Sequence, residues 1–548
     1  MAGAVLLKCS VFAFLLFGTS TITADQLFHY GSVYCTETSC MYKDSILDKE
    51  KATAYATFNN TLLVTGWGVL DVVAGHGAKF YSNKEVMFAA GFIEGVFTAK
   101  HMENNYENLV ASMGLTDLVQ EIRSWLQKQR VWTDMMVKKN PNDPVWRHTS
   151  YINAQLDGLY AGYKSVHKDN QAALDWYAVA FMSSVGDLLD LRYVLNPSSF
   201  PDWSKLSGKE AEIAFYTSGH CSALIKLLPG FENIFMSHSS WFAYSATNRI
   251  YKHYDLNIKD AATAIKKMSF SSYAGILNSV DDFYLMDSGL VMLQTTNNIF
   301  NASLYKLVVP QSLMAWQRVR IANMMSQRGK DWPVIFAQYN SGTYNNQYMV
   351  IDLNQIELGS VVKDNALWVT EQIPGLVMAD DLTNILREGY FPSYNIPYFE
   401  EIYNRSGYPE MANKTDIGSS YSYQLAPRAK IFRRDHSSVK DLTSMKAVMR
   451  YNDFKHDPYS GGSPWGAICS RGDLDPKKPV VDGCYDTKVA DFHMAKELQA
   501  DAISGPTLGT DLPPFSWTGI WSGQPHAGLP EVYNFSFQRM HPRFGSTD

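Results

Sequence analysis

Two apolar runs around a Pro-Gly pair constrain the fold of this chain more than any other feature. The first run covers residues 221–228, the second covers residues 233–241, and Pro229-Gly230 stands between them. Short apolar runs on both sides of a turn dipeptide are typical of a β-hairpin. The sequence therefore predicts two paired strands in mid-chain, with Cys221 at the start of the first.

Helical and strand-like patterns flank this hairpin on both sides. Segments with apolar residues at helical spacing are 85–100, 116–132, 171–191 and 312–328. Strand-like segments are 54–73 (two strands), 289–296, 348–353 and 367–373. Residues 449–548 are rich in Pro, Gly and Asp and predict long ordered loops. This mixture, with strands concentrated after Cys221, predicts an α+β fold of packed layers.

Composition and charge exclude several classes of protein. Of the 548 residues, 46% are hydrophobic and 19% are charged, which excludes a disordered or collagen-like chain. The formal net charge of −6, without any long Lys/Arg block, argues against a nucleic-acid partner. No internal stretch reaches about 18 uncharged apolar residues, so we expect no transmembrane anchor.

The N-terminus predicts a secretory signal peptide at residues 1–24. Lys8 precedes an apolar stretch over residues 10–18, and a run of small residues ends at Ala24. A membrane anchor is the alternative, but the apolar stretch is shorter than the about 20 residues that span a bilayer. We therefore expect the secretory pathway, with the lysosome or secretion as destination. Five glycosylation sequons agree with this route: Asn59, Asn301, Asn404, Asn413 and Asn534.

Removal of the signal peptide leaves five of the six cysteines, an odd number for an oxidising compartment. Cys35 and Cys40 are close in sequence, as are Cys469 and Cys484, and closing such short loops costs little entropy. We therefore predict these two disulfides and an unpaired Cys221. Both a buried inert thiol and a reactive nucleophile are consistent with that position.

Motifs of several common enzyme classes are absent from the sequence. It contains no Gly-x-Ser-x-Gly elbow, no His-Glu-x-x-His or Cys-x-x-Cys pair, and no Gly-rich phosphate loop. We therefore expect neither a metal nor an organic cofactor.

Cleavage of the chain directly before Cys221 would give this residue catalytic chemistry of its own. The new α-amine, with a pKa of about 7.7–8, would lie beside the thiol and could take its proton. One residue would then supply both the nucleophile and the base.

Strings around Cys221 resemble the processing-site region of the phospholipase B-like family. They are residues 220–226, which read His-Cys-Ser-Ala-Leu-Ile-Lys, with 229–234 and 238–241. The resemblance extends through residues 65–68, 146–149, 281–284, 340–347, 393–397, 427–432 and 484–488. It implies an N-terminal-nucleophile hydrolase, an αββα sandwich with long helical and loop excursions. It also implies self-cleavage between His220 and Cys221 into fragments 25–220 and 221–548, which remain associated in one globular unit.

The resemblance also implies roles for individual residues. Cys221 matches the nucleophile, and Asn395 matches an oxyanion donor, although a turn residue is the simpler interpretation of Asn395 alone. Arg428 matches a site arginine that lowers the pKa of the thiol or holds a lipid phosphate. An ion pair with an acid such as Asp435 is the alternative for Arg428.

Three further residues complete the predicted site. His238 and Trp241 lie on the second strand of the predicted hairpin, which brings them near Cys221. We expect His238 to assist proton transfer and Trp241 to shape an acyl pocket. A core histidine and a packed indole are the alternatives. Thr296 matches a hydrogen-bonding position of the site. Thr295 is the alternative for that position.

The resemblance implies that this protein releases fatty acids from phospholipids and lysophospholipids. The expected partner is therefore a phospholipid or another acylated lipid. One alternative is an amidase that acts on N-acylated lipids or peptides. The other is a glycosylated lipid-binding protein with weak catalysis or none.

Overall fold

The computed structural model describes residues 27–36, 38–167, 171–414, 418–509 and 511–546. The predicted signal peptide lies outside the described residues. In chain order the strands are β1 (Phe28–Cys35), β2 (Cys40–Asp44), β3 (Ala54–Asn59), β4 (Gly68–Ala74), β5 (His220–Leu227), β6 (Ile234–Ala243), β7 (Arg249–Leu256), β8 (Lys267–Tyr273), β9 (Phe283–Met286), β10 (Leu290–Thr296), β11 (Asn346–Asp352), β12 (Ile356–Glu357), β13 (Val361–Val362), β14 (Leu367–Ile373), β15 (Leu376–Asp381), β16 (Tyr390–Ser393), β17 (Asp482–Cys484), β18 (Asp486–Asp491), β19 (Ala500–Ser504), β20 (Phe515–Ser516), β21 (Val532–Tyr533) and β22 (Gln538–Met540).

The α-helices lie mainly before β5 and after β10. They are α1 (Leu62–Thr65), α2 (Asn83–Ser112), α3 (Val119–Lys139), α4 (Pro144–Ser165), α5 (Trp176–Ser183), α6 (Val185–Leu195), α7 (Gly208–Tyr216), α8 (Ala315–Met325), α9 (Asp331–Phe336), α10 (Thr383–Arg387), α11 (Glu400–Arg405), α12 (Tyr408–Ala412), α13 (Pro427–Asp435), α14 (Leu442–Met449) and α15 (Phe492–Lys496). None of the described helices is both long enough and apolar enough to cross a bilayer.

Two large sheets dominate this mixed α+β fold. The first has eleven strands in the order β15-β14-β11-β10-β9-β8-β7-β4-β3-β1-β2. The second has seven, in the order β16-β5-β6-β18-β19-β22 with β17 also paired to β6. Strand β4 runs parallel to β7, so a strand from before Cys221 joins one from after it in the middle of the first sheet.

Apolar side chains from the two sheets meet in a common core. Ala223 and Ile225 of β5 pack in one cluster with Leu293 of β10 and Met349 of β11. On the other face of the first sheet, helices α2 and α4 contribute to a second cluster. Helices α13 and α14 pack in a third cluster with the outer face of β5 and β6.

The predicted hairpin is confirmed. Strands β5 and β6 pair antiparallel around Pro229-Gly230, and Cys221 lies opposite Ser240. Both disulfides are also confirmed, Cys35–Cys40 and Cys469–Cys484, and Cys221 is free and buried.

Two secondary-structure predictions need correction. The helical pattern over residues 171–191 begins only at Trp176, where the Asp175 side chain accepts a hydrogen bond from Ala178 N, and Ser184 separates α5 from α6. The prediction of loops alone for residues 449–548 is wrong, because β17, β18, β19 and β22 complete the second sheet. Buried charges at Asp486 and Lys488 hide the apolar pattern of β18.

Candidate active site

Cys221 is the second residue of β5 and lies on the wall of an apolar cavity. Strand alternation places its side chain on the same face as Ala223 and Ile225, which point toward the other sheet. Burial raises the pKa of the Cys221 thiol to about 12, while the backbone N–H of Trp241 acts in the opposite direction. In the uncut chain the thiol is therefore protonated.

We call the space next to this thiol the acyl cavity. It is partly open to solvent, and its apolar walls include Val185, Leu189, Phe242 and Val280. Polar groups of Ser240, Asp281 and Thr296 lie on the same wall as Cys221. The cavity thus offers an apolar volume with polar groups concentrated near the sulfur.

The peptide bond between His220 and Cys221 is held in a defined conformation. Gly219 has φ +90°, a region that favours glycine. The His220 ring packs edge-on against Phe215 with centroids 4.6 Å apart, and burial holds the pKa of His220 well below its usual range. Neither ring nitrogen of His220 has a hydrogen-bond partner among the described residues.

Asn395 connects the main chain of Cys221 to the end of β10. Its Oδ1 accepts a hydrogen bond from Cys221 N at 3.2 Å, and its Nδ2 donates to Thr296 O at 2.6 Å. The Thr295 hydroxyl accepts from Asn395 N at 3.2 Å. Both threonines therefore support Asn395, Thr295 through its hydroxyl and Thr296 through its carbonyl. In the uncut chain the Asn395 amide is engaged on both sides.

Arg428 hydrogen-bonds to the main chain of Cys221 rather than to an acid. Its guanidinium donates to Cys221 O at 2.5 Å, Ser222 Oγ at 3.2 Å and Tyr394 O at 2.8 Å. Its Cζ lies 4.4 Å from the centroid of the Trp241 ring. The alternative of an ion pair with Asp435 is wrong, because Asp435 pairs with Arg434.

His238 and Trp241 lie near Cys221 on opposite faces of β6. His238 Nε2 donates to Gln294 O at 2.8 Å, so its Nδ1 is the acceptor for Lys488 Nζ at 3.1 Å. Burial and the Lys488 charge hold the pKa of His238 well below its usual range. The Trp241 indole donates to a backbone carbonyl at 3.2 Å and packs in the outer cluster.

A buried ionic cluster that the sequence did not single out lies beside these residues. Lys488 Nζ binds Asp281 Oδ2 at 2.6 Å, Asp486 Oδ1 at 2.8 Å and Ser240 Oγ at 2.7 Å. Arg249 pairs with both aspartates. The signal for it was charge at alternate positions of β18, Asp486 and Lys488, directly before Val489 and Ala490.

The same cluster bears on metal binding. Ligand atoms of His238, Asp281 and Asp486 lie within 4.8 Å of one another. The Lys488 ammonium, however, is bound to all three residues. The arrangement supplies a cation of its own at the point where these ligand atoms converge.

The five sequons differ in exposure. The side chains of four are on the surface, and Asn59 at the end of β3 is half-buried. Glycosylation stays a prediction at each of them: Asn59, Asn301, Asn404, Asn413 and Asn534.

The fold and site define a two-sheet α+β protein with a free buried thiol at the start of a central hairpin. Comparison with known proteins identifies its family: the Phospholipase B family profile matches residues 54–540. The chain is 49% identical to Phospholipase B-like 1 of Rattus norvegicus over 517 residues, which cover 94% of this chain and 92% of the relative. It is 48% identical to Phospholipase B-like 1 of Homo sapiens, with 91% and 88% covered, and 48% identical to Phospholipase B of Crotalus adamanteus, with 96% and 95% covered. This chain belongs to the Phospholipase B family.

Proposed function

We propose that this protein is a self-cleaving acyl hydrolase of the N-terminal-nucleophile type, acting on phospholipids and lysophospholipids. The observation that carries the proposal is the free buried thiol of Cys221 on the wall of the acyl cavity, in a chain of the Phospholipase B family. The apolar clusters outside and between the sheets support the αββα sandwich that this class of hydrolase uses.

Self-cleavage starts when Cys221 Sγ attacks the carbonyl carbon of His220. The bond from that carbon to Cys221 N breaks, and the nitrogen takes the proton that the thiol gives up, so a thioester links the two residues. Water then hydrolyses the thioester to a His220 carboxylate and a free thiol. Asn395 Oδ1 supports this step because it already fixes the leaving nitrogen.

The two fragments, 25–220 and 221–548, stay together because each completes the core of the other. Strands β4 and β7 pair in parallel over seven residues, from Gly68 opposite Ile250 to Ala74 opposite Leu256. The buried pair of Glu94 and Lys252, 2.7 Å apart, adds a charged contact between the fragments.

After cleavage the α-amine of Cys221, with an ordinary pKa of about 7.7–8, takes the thiol proton. The thiolate attacks the ester carbonyl, the leaving alcohol takes the proton, and water hydrolyses the resulting thioester to a fatty acid. The acyl cavity holds the fatty chain. His238 and Arg428 act as positioning residues, through Lys488 and through the Cys221 carbonyl.

The two disulfides indicate an oxidising compartment. We place the protein in the secretory pathway, with the lysosome or secretion as destination and with N-glycans at the sequons.

The deciding experiment is N-terminal sequencing of the protein after incubation at acidic and neutral pH. Wild type should yield a fragment that begins at Cys221, and Cys221→Ala should stay intact under the same conditions. Cleavage of Cys221→Ala at the wild-type rate would show that another protease acts, and would overturn self-cleavage.

Matched substrates then test the bond that is cleaved. Release of oleate from oleoyl-lysophosphatidylcholine should exceed release from N-oleoylethanolamine, which has an amide in place of the ester. The reverse order would favour the amidase. Equal lipid binding by wild type and Cys221→Ala, with no product from either, would favour the binding protein.

A further inference from the structure

A second cavity adjoins the acyl cavity and shares two of its wall residues, Leu189 and Thr296. It lies between the end of α6, residues 200–203 and residues 296–299. Ser218, three residues before Cys221, lies on its wall, whereas Gly219 and His220 lie on the wall of the acyl cavity. The segment just before the cleavage site therefore separates the two spaces.

Four residues on the wall of this second cavity carry buried N–H groups without an acceptor in the described part of the chain. These groups are Arg192 Nε, Asn297 Nδ2, Asn298 Nδ2 and Trp203 Nε1. Asn297 also has an unpaired Oδ1, whereas in the other three residues only donors are unpaired. Asn298 is 9% exposed, and its Oδ1 already accepts from Ser218 Oγ at 3.0 Å. Because unpaired buried donors are costly, four on one cavity indicate a ligand rich in acceptor oxygens.

The cavity offers one cation to an anionic ligand. Arg192 donates to Tyr193 OH at 2.7 Å and lies 4.6 Å from that ring, without a carboxylate partner among the described residues. Asp190 is also on the wall, and its oxygens accept from Tyr305 OH at 2.6 Å and from Asn345 Nδ2 at 3.1 Å. Asp190 thus already has donors of its own, and the Arg192 guanidinium is available to a ligand.

We propose that the second cavity binds the phosphate group of the lipid substrate while the acyl chain fills the acyl cavity. The proposal rests on the proposed function, because it places the ester between the two cavities at Cys221. A phosphodiester offers acceptor oxygens and one negative charge to the four donors and to the guanidinium. Arg428 is not available for this role, since its N–H groups bind Cys221 O and Tyr394 O.

A surface groove next to the second cavity supports this direction of entry. The groove and the second cavity share Tyr193, Phe200 and Tyr305 as wall residues. Lys306 lies on the wall of this groove, and the neighbouring Leu307 is 54% exposed. The headgroup would thus project from the second cavity into a groove with a further cation at its rim.

The test compares Arg192→Gln with wild type after both have been processed. Two substrates share the oleoyl ester, but only one has a phosphate: oleoyl-lysophosphatidylcholine and monooleoylglycerol. The ratio of kcat/KM on the first to that on the second should fall about tenfold or more in Arg192→Gln, because a charged hydrogen bond to phosphate is lost. Trp203→Phe, which keeps a ring but loses the N–H, should lower the ratio in the same direction.

Lys205→Gln is the matched control. It removes a cation from the same segment, but Lys205 is 82% exposed and pairs with Asp202 on the surface. Its ratio should equal that of wild type. An unchanged ratio in both Arg192→Gln and Trp203→Phe would overturn the proposal.

A binding arm separates this proposal from the proposed function. Calorimetry with glycerophosphocholine, which has no acyl ester, should show binding to wild type and weakening of about tenfold or more in Arg192→Gln. If glycerophosphocholine binds but neither ester substrate is hydrolysed, the phosphate-site proposal stands and the proposed hydrolase function is wrong. Binding of inorganic phosphate but not of glycerophosphocholine would overturn the assignment to a lipid headgroup, as would binding of neither.

Discussion

Asn395 holds one side of the peptide bond that the proposed self-cleavage would break. Its φ of +68° is uncommon for a residue other than glycine, and its amide bonds to Cys221 N on one side and to Thr296 O on the other. The amide thus fixes Cys221 N relative to the end of β10. In the proposed mechanism Cys221 N is the leaving nitrogen, and after cleavage the same Oδ1 would hold the new α-amine.

Asn395→Gly tests this role without backbone strain, since glycine adopts positive φ at no steric cost. We expect self-cleavage to slow about tenfold or more, because the scissile N–H loses its fixed partner. The buried N–H left unpaired should also lower the free energy of unfolding by about 1–3 kcal/mol. Timed gels of the fragment 221–548 and thermal melts measure the two effects. Asn395→Ala, which adds strain at φ +68°, should be less stable still, and cleavage of Asn395→Gly at the wild-type rate would contradict the role.

The sequence could predict the part of the site that lies within the hairpin. A two-residue turn signal between two apolar runs is enough to bring His238 and Trp241 near Cys221, because hairpin pairing is local. It could not place Lys488, which reaches Ser240 from a strand far along the chain. Such a contact depends on the order of strands in the sheet, which local patterns do not encode.

Helices α2 and α4 pack against each other through glycines at four-residue spacing. A Cβ atom added at Gly91 would lie 2.0 Å from Gln155 O, and one added at Gly158 would lie 2.1 Å from Phe88 O. Gly95 is in equally close contact with the facing helix. The two backbones therefore touch, and any larger side chain must separate the helices.

Gly91→Ala should destabilise the protein by about 3 kcal/mol or more, since the added methyl group meets backbone rather than a flexible side chain. The midpoint of chemical denaturation measures this loss. Gly523→Ala is the control: the added Cβ meets nothing within 4 Å, so its midpoint should match that of wild type. A Gly91→Ala midpoint equal to the control would mean that the helices can separate without cost.

The strands after residue 449 illustrate why elements can be missed. Strand β18 reads Asp-Thr-Lys-Val-Ala-Asp. Its buried Asp486 forms ion pairs with Lys488 and with Arg249, so these charges are paired inside the protein rather than solvated. Alternation of apolar and polar residues is the signal for a strand. A strand whose inward face carries an ion cluster lacks that signal, and the surrounding Pro and Gly then favour a loop.

Across the whole molecule, buried ionisable groups set the dependence of stability on pH. Burial raises the pKa of Glu371 to about 7 and that of Asp482 to about 8. Burial lowers the pKa of His101 and His436 to about 4 and that of His253 to about 3. Histidine in an unfolded chain has a pKa of about 6.5. Below that pH, the carboxyl groups make stability fall as pH rises, whereas the histidines make it rise. Above about pH 7.5, where histidines of the unfolded chain are largely neutral as well, the carboxyl groups remain.

The folded state therefore binds more protons than the unfolded state between pH 7.5 and 8.5, because Asp482 still holds part of its proton where unfolded carboxyl groups are ionised. Stability must fall as pH rises through this window. Thermal melts of Cys221→Ala, which the proposed self-cleavage would leave uncut and without a new α-amine, should show the melting midpoint falling from pH 7.5 to pH 8.5.

Asp482→Asn should flatten that fall, because Asp482 Oδ1 is buried without a partner among the described residues and its ionisation is what costs stability. The control Asp364→Asn removes a carboxylate that is 74% exposed and should leave the slope unchanged. A midpoint that rises between pH 7.5 and 8.5, or an Asp482→Asn slope equal to that of Asp364→Asn, would show that Asp482 is ionised in the folded protein. In that case the molecule would have to solvate this carboxylate, which its burial beside β6 does not allow.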